Sequence, residues 1–202
     1  MKLSRIQQRP RLQAGWTLVE TTITASLLVL IMAGMLGVHI GGLRMYEITR
    51  AKLGASDDAR RALNLLMTEV KEAKIVRIGS GGLSTFTEVP ANAAQIGSAI
   101  QIHATTNTNT FVRYFWNSTS RQLQRTTNGS SSATVVAHAI TNSLVFRAEN
   151  AQGVLLTNNQ NNRVISLQLQ FNQLINPAVQ IGPGQLFDSY QIRSKITRRA
   201  LE

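Results

Sequence analysis

Reactive side chains are few in this sequence, and their spacing excludes most chemistry. There is no cysteine, so thiolate metal sites, thiol nucleophiles and disulfides are all unavailable. His103 and His138 lack a third ligand at metal spacing, and after Glu88 the only acids are Glu149, Asp188 and Glu202, too dispersed for a calcium loop. No serine stands in a glycine-flanked nucleophile turn, and no pair of acids suggests hydrolysis. Neither an enzyme activity nor a small-molecule substrate, metal or cofactor is expected. What remains is a run near the amino terminus, Gly15-Trp16-Thr17-Leu18-Val19-Glu20, in which one carboxylate opens a long apolar stretch. A carboxylate at such a place needs a positive partner.

The elements around that run define its setting. From Thr21 to Leu43 there is no Asp, Glu, Lys or Arg, and as a helix this segment spans roughly 35 Å, enough to cross a bilayer core. Lys2, Arg5, Arg9 and Arg11 all precede it, so the positive-inside rule places the amino terminus in the cytoplasm and everything after Arg44 on the far side. A cleaved Sec-type signal has the same order of charge and apolarity, with a cut near Ala33 or Gly37. Against it stand the length of the run and Glu20, for which a discarded signal has no use. Gly34, Gly37, Gly41 and Gly42 lie inside the run, each costing about 1 kcal/mol relative to Ala in a helix. Gly37 and Gly41 form a small-xxx-small pair that lets another helix approach; ordinary glycine enrichment in membrane helices accounts for them equally well.

The basic leader, the Gly15-Trp16-Thr17-Leu18-Val19-Glu20 run and the apolar stretch together resemble the processing site of type IV prepilins and type II secretion pseudopilins. The resemblance implies a cut between Gly15 and Trp16 by a membrane-embedded prepilin peptidase, which also methylates the new amine. Phe usually opens the mature chain in that family, and Trp16 keeps a large aromatic there. It further implies that the helix is retained as a filament core, in the inner membrane before assembly, with other pilin or pseudopilin subunits and inner-membrane lipid as partners. Glu20 then pairs with the Trp16 amine of a neighbouring subunit, which satisfies both charges and fixes the stagger between subunits.

The rest of the chain reads as a periplasmic head. At 202 residues one buried domain plus a membrane segment is the expected size, divided as leader 1–15, membrane helix and stem 16–53, and head 54–202. Ser56 with Asp57 and Asp58 marks a second helix start. Ala59, Leu63, Leu66, Val70 and Ala73 repeat as one apolar stripe, with Arg60, Arg61, Glu69 and Glu72 off it. Gly79, Gly81 and Gly82 are expected to end the helix, either as one long element over 17–77 or as two joined near Gly54. Strands are predicted over 99–104, 110–116, 123–127, 134–139, 144–148, 164–171 and 189–197, with Asn128-Gly129 as a hairpin turn. Ile165, Leu167, Leu169 and Phe171 alternate with Ser166, Gln168 and Gln170, giving one buried and one wet face. The fold class is therefore α+β: a long amino-terminal helix, half membrane and half amphipathic, packed on an antiparallel β-rich head. The order of these features resembles the J-type minor pseudopilins and W-type minor pilins.

Nucleic acid is weighed and set aside. The formal charge is +11, but it is spread thinly once the leader is removed. Arg193, Lys195 and Arg199 share a face of the closing strand with Gln191 and Thr197, opposite Tyr190, Ile192, Ser194 and Ile196; charges so placed more often solvate and protect an edge than hold phosphates. Among Phe111, Tyr114, Phe115 and Trp116, the phenylalanines Phe111 and Phe115 are expected in the core rather than as base-stacking platforms. A DNA-binding pilin of an uptake system and an exported β-rich domain with a Sec signal are the alternatives to a filament subunit.

Overall fold

The computed structural model describes residues 15–158, 164–174 and 187–199; the leader, apart from Gly15, lies outside them. One helix, α1, runs Leu18–Glu72. Ser56 falls inside it and not at a cap, because the alanine-rich stripe continues the helical pattern on both sides without a break. Gly54 likewise sits within the helix and has open space around its α-carbon. Two compact units divide the chain, 1–45 and 46–202. In the first, the helix carries an 18-residue window of mean hydropathy 2.2 with none of it buried, long and apolar enough to cross a membrane.

In the second unit the helix turns one face inward. Ala55, Ala59, Ala62, Leu66, Val70 and Ala73 are all buried, and Leu63 and Met67 flank them. Small side chains on this stripe let the helix lie close to the sheets. The helix stops at Glu72, where Lys74 N already donates to the His103 carbonyl at 2.9 Å.

Among the described residues ten strands follow: β1 Ile75–Gly81, β2 Phe86–Glu88, β3 Ile96–Gly97, β4 Ala99–His103, β5 Val112–Asn117, β6 Gln122–Thr127, β7 Thr134–Ala137, β8 Phe146–Glu149, β9 Val164–Leu174 and β10 Phe187–Thr197. They form two antiparallel sheets, ordered β2-β1-β4-β5-β6-β7 and β10-β9-β8-β3. One core joins both to the helix: Val76, Ile78, Ile100, Ile102, Tyr114 and Leu123 from the first sheet, Phe146, Ile165, Leu167, Leu169, Phe171 and Ile196 from the second.

All seven strands expected from the sequence are present, with shifts of a few residues at their ends. The three before Ala99 were not foreseen. Ile75–Gly81 carries the glycines expected to break the helix, yet Val76 and Ile78 bury their side chains and the chain is strand. A side chain at Gly97 would collide with the Gly79 carbonyl oxygen, and one at Gly79 with the Thr87 carbonyl oxygen. These glycines serve close backbone packing, not helix termination. Asn128-Gly129 is the β6–β7 turn, with Gly129 at φ 76° and Ser130 N bonded to the Thr127 carbonyl at 3.1 Å.

These glycines predict opposite responses to a single methyl group. Gly97→Ala should destabilise the head by about 1–3 kcal/mol, since backbone must move to admit it. Gly54→Ala should stabilise by up to about 1 kcal/mol, because Ala is the better helix former and meets no neighbour. Urea unfolding of the detergent-solubilised chain, followed by circular dichroism, measures both.

Candidate functional site

At the amino-terminal site the structure gives local geometry. Gly15 and Trp16 precede the helix in irregular backbone, Trp16 is 68 % exposed, and Glu20 is exposed in the first turn. Thr17 sits at the helix entry: its Oγ1 accepts from Glu20 N at 3.3 Å, and its carbonyl accepts from Thr21 N at 3.1 Å. The spacing Thr-x-x-Glu is that of a capping box, which the sequence analysis did not single out. A methyl group added at Gly15 would meet nothing within 4 Å, so the packing of this chain does not require glycine there.

At the start of the apolar run the hydroxyls are satisfied within the helix. The hydroxyls of Thr21, Thr22, Thr24 and Ser26 each donate to a carbonyl one turn back, at 2.8–3.4 Å. Such back-bonding makes hydroxyls tolerable in an apolar medium. Gly34, Gly37, Gly41 and Gly42 all face open space.

In the head, charge is used to tie elements together. Glu69, outside the apolar stripe, accepts from the Tyr114 hydroxyl at 2.6 Å and from Arg125 Nε and Nη2 at 3.0 and 2.6 Å. Burial, and then the bond to Glu69, push the Tyr114 phenol far above its ordinary range. The same carboxylate raises Arg125. One residue thus binds the helix to two adjacent strands.

A second cluster concerns the closing strand. Its two faces divide as the alternation predicts, but Arg193 and Lys195 share a single carboxylate: Arg193 Nη2 pairs with Glu149 Oε1, and Lys195 Nζ lies 3.0 Å from Glu149 Oε2. Glu149 is 2 % exposed while both cations remain nearly half-exposed. Burial pushes the Glu149 carboxyl up, yet the bonds from Lys195 and Arg193 outweigh it and hold the group below its ordinary value. Arg193 Nε also reaches Ser166 Oγ at 3.3 Å. Ser166 is consequently buried, where a wet position was expected, because the arginine folds over it.

Of the four aromatics, Tyr114 and Phe115 are buried, and Trp116 Nε1 donates to the Ile140 carbonyl at 3.0 Å. Phe111 does not fill the core. It is half-buried on the opposite face of the first sheet, where its ring lies 4.7 Å from the Arg113 guanidinium, with Phe86 at 5.4 Å on another side. Strand parity explains this, since Val112 and Tyr114 take the core face. His103 is fully buried and His138 exposed, with His138 N donating to Asp58 Oδ2 at 2.9 Å. Among the described residues no group of three His, Asp or Glu side chains comes together. Asn117 closes β5, and its Oδ1 accepts from Thr119 N and Ser120 N of the following turn.

Comparison with known proteins finds no match: no family model, no curated protein and no solved structure is similar to this chain at a significant level.

Removing the Glu69 carboxylate leaves a mostly buried guanidinium and a buried hydroxyl without their acceptor. Glu69→Ala should therefore destabilise the head by about 2–3 kcal/mol, and Tyr114→Phe by about 1 kcal/mol. Chemical unfolding of both variants checks the ratio.

Proposed function

We propose that this chain is a minor subunit of a type IV pilus-like or type II secretion filament, made as a prepilin or pseudopilin, that helps to start or cap assembly. The observation that carries the reading is the start of the helix. A glycine that no packing demands, an exposed aromatic and a single exposed carboxylate stand in order before an unburied apolar run. In this reading glycine is required by a peptidase, not by the fold. Cleavage after Gly15 creates an amine at Trp16 beside the positive end of the helix, and the Glu20 carboxylate of a neighbour neutralises it.

The head suits a subunit whose work is contact. Its charged side chains Glu69, Arg125, Glu149, Arg193 and Lys195 are spent on internal ties. The pairing of Arg193 and Lys195 with Glu149 also weakens the DNA-capture alternative, since one of their two charges is already neutralised at the strand surface.

Mass spectrometry of the native protein tests the reading: the mature chain should begin at Trp16 and carry an N-methyl group. A terminus beyond residue 33 would assign the helix to a discarded Sec signal and overturn the proposal. Gly15→Leu should leave a membrane-bound, unassembled precursor. Glu20→Gln should insert and fold normally but enter filaments less than a tenth as often, measured by cross-linking to neighbouring subunits.

A further inference from the structure

The two sheets have four edges among the described residues, and three of them are short. β2 is 3 residues long, β3 is 2, and β7 is 4, beside a register shift in β6. The fourth edge is β10, 11 residues paired one to one with β9 without a bulge or a proline. Short strands, bulges and prolines are the usual means of keeping an edge from pairing further, and β10 has none of them. Its cations do not screen it either, because Arg193 and Lys195 lean back across the sheet to Glu149, and Arg193 also to Ser166.

Hydrogen bonds on the far side of β9 decide which main-chain groups of β10 stand free. Gln168 N donates to the Val145 carbonyl at 2.9 Å, Gln170 N to Asn142 Oδ1 at 2.7 Å, and Thr141 N to the Gln170 carbonyl at 2.9 Å. Even-numbered residues of β9 thus turn their N–H and C=O away from β10, while Leu167, Leu169 and Phe171 turn theirs towards it. Opposite those three stand Ser194, Ile192 and Tyr190, which take up the bonds. The N–H and C=O of Gln191, Arg193 and Lys195 therefore point outward, and no described strand pairs with them. Arg199, on the same parity, bonds outside the sheet to the Lys71 carbonyl.

The side chains beside the edge prescribe what can lie there. On the core side Tyr190 and Ile192 are only partly buried, with the Tyr190 ring 6.1 Å from that of Phe171. On the outer side Arg193 and Lys195, with Arg147 of β8, set three cations against the single carboxylate of Glu149. An added strand places alternate residues on these two sides. Apolar residues would extend the core past Tyr190 and Ile192, and acidic ones would meet the cations. We propose that the free edge of β10 is a docking site for an extended segment of another protein in which acidic and apolar residues alternate. A second copy of this chain does not supply such a segment, because no two of its 10 Asp and Glu residues stand two positions apart. The site belongs to the head alone and stands whether or not the chain enters a filament.

The probe is a capped synthetic peptide of alternating valine and glutamate, about nine residues long to match the edge at roughly 3.3 Å per residue. It is added to the full chain in nonionic detergent micelles at neutral pH. At millimolar peptide, amide exchange by NMR should slow about tenfold or more at Gln191, Arg193 and Lys195, whose amides have no partner in β9. A valine and lysine peptide should bind at least about tenfold more weakly. Of two N-methylated forms of the probe, one at the glutamates and one at the valines, one should lose binding, since only one set of its amides faces β10. Gln191→Pro removes an edge donor and none of the bonds to β9, so the head should fold and bind the probe about tenfold less tightly; the peptide forms decide the matter if that variant does not fold. Unchanged exchange at the three amides, equal binding of the lysine peptide or of both N-methylated forms, or a folded Gln191→Pro chain that binds as before would overturn the proposal. So would protection of these amides that grows with protein concentration in the absence of peptide, which would put a second copy on the edge.

Discussion

Burial of one narrow helix face is the constraint on which the head depends. Alanine at 55, 59, 62 and 73 brings the backbone of α1 close to the sheets, and Leu66 and Val70 fill the space between. So small a stripe leaves little tolerance for a shift along the axis, and Glu69 removes what remains by binding strands β5 and β6 at once through Tyr114 and Arg125. The close approach of Gly79 to Gly97 does the same for the two sheets. Apolar contact supplies the adhesion, and these polar and glycine contacts select one register from several that the apolar faces alone would accept.

Much of this arrangement is legible in the sequence because period and polarity agree along it. The stripe at three- and four-residue steps, the alternation of Ile165 to Phe171 and the Asn128-Gly129 turn all have the local signature of what they form. What was misread lay where a residue serves a neighbour distant in sequence. Gly79 looks like punctuation until Phe86, Thr87 and Gly97 are placed around it. Ser166 is polar but buried because Arg193 arrives from the next strand, and Glu69 and Glu149 acquire their partners from strands 44 or more residues away. Phe111 failed as a core residue because strand parity, not hydrophobicity, decides which face a side chain meets.

The amino-terminal run shows the reverse relation. There the sequence speaks clearly while the folded monomer adds little, since a side chain at Gly15 or at the four glycines of the apolar run would meet no described neighbour, and Trp16 and Glu20 are exposed. A residue type that the monomer does not use is under selection from something outside it, or under none. The ordered hydroxyl bonds of Thr21 to Ser26 point the same way, since they prepare a polar stretch for surroundings that offer no water.

The tail of β10 carries a consequence for the order in which the protein forms. Arg199 N donates to the Lys71 carbonyl and Arg198 Nη1 to that of Lys74 at 2.9 Å, so residues that follow β10 cap the end of a helix made long before them. Until those residues arrive, the carbonyls at the helix end, the outer side of β9 and the Glu149 carboxylate all stand open. A chain that emerges amino terminus first can therefore build the helix and the first sheet early, but it must hold the second sheet unfinished until β10 has been delivered.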